Sequence, residues 1–320
     1  MSKKFQDNLN VLVYGDIDKM AADTNGHFLD QLSEASDDMT QDPRTMQELN
    51  AYVKNGGFSH VLIPDENFHR LNGNLGNCSV PIVEFLEDHW VTWAVDRKKQ
   101  YLKDNKIKDA IVFSERNLEP YKGQTRFHSV LAAIDSPTFF NKGLERKIDI
   151  LVSGAIKPDK PWVYPMRNWL INVLPEIGIK EGLNIHHHQH PGRVRKKGEE
   201  KITKGYSELI NTAKIATAGT GQWRMPFKKL YEIAACETVL LSDLPLEDSD
   251  FFRGKILEID PTKVNSKGYA DLLRRNIMNV LENYEHYQQK LRPFQTEQDR
   301  FDKSYKGKAL EIRSVLKKIN

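Results

Sequence analysis

Short apolar runs alternate with amphipathic stretches along most of the chain. In the first part the apolar runs have the length of buried β-strands; they cover residues 10–15, 60–64, 80–85, 110–113 and 129–133. Stretches with helical periodicity separate them; they begin near residues 27, 46 and 97. Residues 35–45 are polar and rich in turn formers. Strands alternating with helices over residues 10–135 predict one doubly wound α/β domain.

The same alternation starts again near residue 148. The predicted strands cover residues 149–152, 183–188, 215–218, 238–241 and 256–259. The predicted helices cover residues 164–174, 207–212 and 227–236, and the tail from about residue 269 is helical and strongly charged. The predicted fold class is therefore α/β, with two Rossmann-like domains facing a cleft and a C-terminal helical tail. We place the domains at residues 1–145 and 146–285, and expect the tail, 286–320, to pack back on the N-terminal domain.

Residues 214–243 hold the most complete βαβ pattern in the chain. An apolar run at 215–218 leads into a glycine loop, a helix over 227–236 and a second apolar run at 238–241. Pro226 is expected in the first helical turn, where its missing N–H costs nothing. Units of this kind build parallel sheets with right-handed crossovers.

The loop of this unit has features of a phosphate site. Gly219 and Gly221 let the backbone approach a ligand, and the following helix N-terminus favours an anion. Arg224, Lys228 and Lys229 add positive charge nearby. An ordinary α/β unit with a solvated basic helix start explains the same residues, because glycine loops are common between strands and helices.

Composition narrows the class of protein. The chain has 320 residues, 39% of them hydrophobic and 28% charged, as in soluble globular proteins. No apolar run approaches the ~18–20 residues that span a bilayer, and the N-terminus has no apolar signal segment. The only cysteines, Cys78 and Cys236, are far apart, which favours reduced thiols in a cytoplasmic protein. The net charge of +3 does not by itself indicate nucleic-acid binding.

Four stretches together resemble glycosyltransferases of the two-Rossmann GT-B type, and most closely the spore-maturation (CgeB-like) group of glycosyl transferases group 1. They are VPIVEFLEDHW, KIDILVSG followed by YPMRNWL, LNIHHHQHPG, and KKLYEIAAC. The correspondence spans roughly residues 80–245, and the order and spacing of the stretches are more specific than any one of them.

The resemblance implies a glycosyltransferase whose donor is a nucleotide-diphosphate sugar, expected to be a UDP-sugar, with no cofactor and no metal. Glu232 matches the helix glutamate that binds the ribose hydroxyls, and Arg224 and Lys229 would neutralise the diphosphate. The acceptor is open: a glycan, a small molecule or DNA. The expected donor-binding residues are Gly15, Ser153, Gly154, Arg167, His190, Gly219, Gly221, Arg224, Lys229 and Glu232.

One position departs from the family pattern. Retaining members carry another glutamate eight residues before the ribose-binding one, and here that position is Arg224. Retention or inversion of the sugar therefore stays open. So does a non-catalytic nucleotide-sugar-binding protein of the same fold.

Asp88 and His89 are the candidate catalytic residues, because they follow a predicted strand at its carboxyl end. Histidine titrates near neutral pH, and an adjacent carboxylate can hold its tautomer or act as the base itself. A charged cluster that solvates a loop is the alternative.

Two features suggest a metal at first sight. His186, His188 and His190 would share one face of a strand, and imidazole suits zinc. Asp-x-Asp triplets occur at 16–18 and 248–250. No cysteine or carboxylate completes a familiar spacing around the histidines, and such triplets arise easily by chance, so we expect pocket lining and loops instead.

Basic residues cluster over residues 193–204. They could bind a phosphorylated or nucleic-acid acceptor, which would make the protein a glycosyltransferase acting on modified nucleic acid. Glu199 and Glu200 lie among them, which favours a solvated loop.

Overall fold

The computed structural model describes residues 9–17, 26–65, 71, 73–87, 89, 91–155, 159–188 and 202–319. The described residues form two compact units. Unit 1 contains those up to Ala133 together with those from Tyr305 onward, and unit 2 contains those from Ile134 to Ser304. The sequence placed the junction near residues 141–146 and the start of the tail at 286.

Unit 1 is built on a six-stranded, fully parallel sheet in the order β2-β1-β3-β4-β5-β6. Its strands are β1 (Val11–Tyr14), β2 (Asp38–Thr40), β3 (His60–Ile63), β4 (Ile82–Phe85), β5 (Asp109–Val112) and β6 (Arg126–Ser129). Its helices are α1 (Gly26–Ala35), α2 (Met46–Gly56), α3 (Thr92–Asp104) and, at the end of the chain, α11 (Tyr305–Leu316), with short 3-10 turns at Leu75–Asn77 and Glu119–Tyr121.

Helices cover both faces of this sheet, because successive strand residues point to opposite sides. Val11 and Val13 pack with α1 and α11, whereas Leu12 and Tyr14 pack with α2 and α3. Strands that are buried on both faces read as the continuous apolar runs seen in the sequence.

Unit 2 contains a five-stranded parallel sheet in the order β11-β10-β9-β7-β8. Its strands are β7 (Ile148–Ser153), β8 (Ile185–His188), β9 (Ala213–Thr217), β10 (Val239–Ser242) and β11 (Leu257–Glu258). Its helices are α4 (Pro165–Glu181), α5 (Ile202–Asn211), α6 (Lys228–Ala235), α7 (Ser249–Phe252), α8 (Tyr269–Glu282), α9 (Tyr284–Lys290) and α10 (Glu297–Asp302).

The side of β7 on which the chain adds strands to this second sheet changes between β8 and β9. After β7 it turns to the edge strand β8, and it then returns to the other side of β7 to form β9. Leu170 of α4 packs on one face with Ile150, whereas Leu230 of α6 packs on the other with Leu151. The carboxyl ends of β7 and β9 therefore form a topological switch point, the place where open α/β sheets bind ligands.

The α/β class with two parallel sheets and helices is confirmed. Several local predictions are wrong. β2 was not predicted, and β6 begins three residues before the predicted 129–133 strand and ends at its first residue. α4 continues through Pro175 to Glu181, and α6 begins at Lys228, so that Pro226 precedes the helix and does not occupy its first turn. No helix in the described parts of the chain combines the length and hydropathy needed to span a bilayer.

Candidate functional site

The two strand ends at the switch point of unit 2 are bonded to each other. The backbone N–H of Ser153 donates to Oγ1 of Thr217 at 3.2 Å, and the Ser153 hydroxyl donates to the Thr217 carbonyl at 3.1 Å. Both residues are buried. Gly154 follows Ser153 directly, and Gly219 lies two residues after Thr217. Both glycines are among the donor-binding residues expected from the sequence.

Glycine is required at both positions by the arginine between them. Gly154 has φ +108°, and a Cβ there would lie 3.1 Å from Nη1 of Arg167. A Cβ on Gly219 would lie 2.8 Å from Cε of Met166 and 3.2 Å from Cγ of Arg167. The two glycines thus leave the space that the Arg167 side chain occupies.

Arg167, in the first turn of α4, is a buried cation without an ion pair among the described residues. It is only 8% exposed. Its Nη2 donates to the Gly219 carbonyl at 2.8 Å, and its Cζ lies 4.4 Å from the ring centre of Tyr164 and 5.7 Å from that of Phe227. Its Nε is buried, with no hydrogen-bond partner in the part of the chain that the structure describes. Burial lowers the pKa of Arg167, against the opposing effect of Tyr164 and Asp243.

Lys229 is a second cation held by an aromatic ring. Its Nζ lies 4.0 Å from the ring centre of Tyr206. Burial lowers the pKa of Lys229 to about 8, with the charge of Glu232 raising it and that of Arg167 lowering it. Glu232 is itself buried and pairs with Nζ of Lys228 at 3.4 Å. The predicted polar helix face is therefore largely enclosed, and not a solvated surface.

Tyr206, which the sequence did not single out, links three elements of the site. Its hydroxyl lies 2.9 Å from Oγ of Ser153 at the end of β7. The His188 ring at the end of β8 stacks on it at 5.4 Å and 23°. Burial lowers the pKa of His188, and the charge of Lys229 lowers it further. Tyr206 thus joins β7, β8 and α6.

Hydrogen bonds join the loop after Gly219 to the segment that follows β10. Arg224 adopts a left-handed backbone, φ +53°, and its Nε and Nη2 donate to the Leu244 carbonyl at 3.2 and 2.6 Å. Gly221, at φ +68°, packs against the carbonyl of Val163, which would lie 3.2 Å from a Cβ. The guanidinium that was predicted to neutralise phosphate is thus bonded to a backbone carbonyl. Asp243 accepts the Thr220 N–H at 3.0 Å.

Two predicted residues belong to unit 1. Gly15 directly follows β1, and its N–H donates to the Thr40 carbonyl at 3.3 Å. His89 is fully buried, and its Nε2 donates to the Arg116 carbonyl at 2.9 Å. Burial lowers the pKa of His89 to about 4, so the ring is neutral near pH 7. Its backbone carbonyl accepts the hydroxyl of Tyr121 at 3.0 Å.

Other predictions fall outside the described residues. Asp88, His190, Asp18 and the basic cluster up to Lys201 lie there. Within the described ranges, no group of three His, Cys, Asp or Glu residues has the arrangement to hold a metal ion. Asp248 of the second Asp-x-Asp triplet accepts hydrogen bonds from Tyr231 at 2.7 Å and Lys303 at 2.6 Å. An open depression of about 500 Å³ lies at the amino ends of β3 and β4, away from the predicted residues.

Solved structures resemble nearly the whole chain in fold. No protein-family model matches it, and no curated protein matches it in sequence. Anabaena Alr3699/HepE in complex with UDP has a TM-score of 0.60 at 10% identity, over 97% of this chain and 100% of that one. Sucrose-phosphate synthase (tll1590) from Thermosynechococcus elongatus has a TM-score of 0.58 at 11% identity, over 97% of this chain and 99% of that one. A glycosyltransferase from Rickettsia africae ESF-5 has a TM-score of 0.56 at 10% identity, over 98% of this chain and 100% of that one.

These structural neighbours are GT-B glycosyltransferases, and the two parallel α/β units have the GT-B glycosyltransferase fold. At identities of 10–11% the likeness concerns the fold. A fold of this kind hosts many activities, and the residues of the site determine which one a protein has.

Proposed function

We propose that the protein is a glycosyltransferase that transfers a sugar from a nucleotide-diphosphate donor, with the donor bound by unit 2. The observation that carries the proposal is the Arg167 guanidinium, buried at the switch point without an ion pair among the described residues. A buried charge is costly unless it is paired. The diphosphate of a donor supplies the missing negative charge.

The same cations suit the chemistry of the transfer step. As the bond between sugar and diphosphate breaks, negative charge develops on the leaving phosphate oxygens. Arg167 and Lys229 can stabilise that charge from fixed positions. We therefore propose a metal-independent transfer without a cofactor. UDP is the preferred nucleotide because the Alr3699/HepE structures are complexes with UDP and with UDP and glucose.

Glu232 is proposed to bind the ribose. One of its oxygens pairs with Lys228 at 3.4 Å, and a carboxylate can accept further hydrogen bonds from a vicinal diol. Ser153, Gly154, Gly219 and Gly221 complete the proposed donor site. Gly15 and His190 stay predictions.

Asp88 and His89 stay the proposed catalytic residues, on the acceptor side formed by unit 1. The His89 ring is buried and bonded to the Arg116 carbonyl, which suits a supporting role better than direct proton transfer. We assign proton abstraction from the acceptor hydroxyl to Asp88. The narrower relationship to the CgeB-like group rests on the four sequence stretches. Free thiols at Cys78 and Cys236 support a cytoplasmic location.

Donor binding is tested by titrating UDP, GDP, ADP and uridine into the protein by calorimetry. Replacing Arg167 by Met removes a charge-assisted contact worth about 1.5–3 kcal/mol, so UDP affinity should fall about 10- to 150-fold. Arg253→Met is the matched control, because that side chain is exposed in the same unit. A wild-type protein that binds no nucleoside diphosphate, or an Arg167→Met variant that binds UDP equally well, would contradict the proposal.

One observation favours a second candidate, a non-catalytic nucleotide-sugar-binding protein. Arg224 replaces the glutamate of retaining family members and is bonded to the Leu244 carbonyl. Turnover separates the two functions. A transferase hydrolyses its donor slowly, or transfers the sugar to an acceptor panel, and Asp88→Asn abolishes this while UDP affinity stays. A protein that binds UDP-glucose without any turnover is the binding protein.

A further inference from the structure

Both cations of the proposed donor site are held by aromatic rings. Lys229 lies over Tyr206 at 4.0 Å and Arg167 over Tyr164 at 4.4 Å. The carboxylate on the same helix as Lys229, Glu232, pairs with Lys228. A carboxylate partner would neutralise a cation, whereas a ring face attracts it and leaves its full charge available to a ligand.

The ring under Lys229 is itself fixed on several sides. Tyr206 is 6% exposed, and its hydroxyl is bonded to Oγ of Ser153 at 2.9 Å. His188 stacks on it, and Phe139 meets it edge-on at 6.3 Å and 67°. A ring held in this way cannot turn without breaking contacts to β7 and β8. The position of the Lys229 ammonium is therefore set relative to the end of β7.

We propose that Tyr206 is a positioning residue of the donor site, which holds the Lys229 ammonium by a cation–π contact so that its charge is available to the donor diphosphate. This inference rests on the proposed function and deepens it. Because the contact acts through Lys229, it should affect ligands that carry phosphate and leave the nucleoside unaffected. Burial lowers the pKa of Lys229 more than the charge of Glu232 raises it, and no carboxylate of the described residues forms an ion pair with Lys229.

The test varies the electron density of the aromatic ring at position 206 in steps, with little change in the size of the ring. Tyr206 is replaced by phenylalanine and then by phenylalanines with one, two and three fluorines, which weaken the negative face of the ring stepwise. Affinities for UDP, inorganic pyrophosphate and uridine are measured for each variant. UDP and pyrophosphate should weaken steadily along the series, by about 3- to 30-fold in total, while uridine stays constant.

The chain offers a matched control. Tyr287 also carries a lysine over its ring, Lys290 at 5.6 Å, and lies in the same unit on α9. The same fluorinated series at Tyr287 should leave UDP affinity unchanged. In a Lys229→Met background the series at position 206 should also have no effect.

Each outcome decides a separate point. If UDP binds and the series at position 206 is flat, Tyr206 only packs and this inference is overturned, with the proposed function intact. A fluorine effect that persists in Lys229→Met also overturns it. A wild-type protein that binds neither UDP, GDP, ADP nor pyrophosphate overturns this inference and the proposed function together.

Discussion

At the scale of single residues, the pKa of Lys229 lies within the pH range in which donor binding can be measured. Burial lowers that pKa to about 8, and a bound diphosphate would raise it again. Below pH 8 the ammonium is protonated with and without ligand. Above pH 8 the free protein loses the proton, binding must recover it, and UDP affinity should fall by up to about tenfold per pH unit. Calorimetry between pH 7 and 9.5 measures this.

Lys229→Arg is the control for that profile. Arginine stays charged over the whole range, so the variant should show a much flatter pH dependence of UDP affinity. Parallel profiles for the wild type and Lys229→Arg would show that another group, or the nucleotide itself, titrates.

His89 should make unit 1 sensitive to acid. Its folded-state pKa is lowered to about 4, from an ordinary value of 6.5, chiefly by burial. As the pH falls below 6.5 the unfolded chain takes up the proton first, so stability is lost between about pH 6.5 and 4. The loss amounts to about 3 kcal/mol. Urea unfolding at pH 7.5 and 4.5 measures it, and His89→Gln should lose less stability over that interval than the wild type.

The site could be predicted from the sequence only in part. Family resemblance selected Arg167, Lys229 and Glu232, which the structure brings to one end of the second sheet. Tyr206 gave no signal, because its partner Ser153 is 53 residues away along the chain. Phosphate binding by Arg224 stays a prediction, and the contact of Arg224 with the Leu244 carbonyl gave no sequence signal because it depends on how the loop folds.

At the scale of elements, the turn from β7 towards α4 depends on Gly154. Alanine there would strain the backbone at φ +108° and place Cβ 3.1 Å from Nη1 of Arg167. We expect Gly154→Ala to cost about 1–3 kcal/mol of stability and to weaken UDP binding, since the guanidinium has to move. Gly254→Ala is the matched control, because it has φ +69° with nothing within 4 Å of a Cβ. It should lose stability and keep UDP affinity, as thermal unfolding and calorimetry would show.

Strands were predictable from the sequence where helices bury both faces of the sheet. β1 is a continuous apolar run, and β3 and β4 each contain three apolar residues out of four; helices cover all three strands, and each was predicted. β2 and β6 are the edge strands of their sheet and carry polar residues, so periodicity missed one and displaced the other. α4 passes through Pro175 because Leu174 and Ile177 on either side are buried, and tertiary packing offsets the lost N–H.

At the scale of the whole molecule, unit 1 is made from both ends of the chain. Ile312 and Leu316 of α11 lie in the same core cluster as Val11 and Val13 of β1. Ile312 is fully buried, so Ile312→Ala should destabilise unit 1 by about 2–4 kcal/mol. Hydrogen exchange of the β1 and β3 amides reports this. Leu310 lies on the same helix and is 59% exposed, so Leu310→Ala should change stability by less than about 0.5 kcal/mol.

The position of α11 also sets the order in which the nascent chain can finish folding. When Ala133 leaves the ribosome, the face of the first sheet that carries α1 still lacks α11, and about 180 further residues must be made before α11 is complete. At ~5–20 residues per second this takes roughly 10–35 s. The described residues of unit 2 all lie between Ile134 and Ser304, so unit 2 can close first. The half that is synthesised first is thus completed last, when Arg313 reaches the Leu9 carbonyl and the Ile319 carbonyl reaches His60. A nascent chain halted before α11 would leave β1 and β3 without that helix and open to chaperones and proteases.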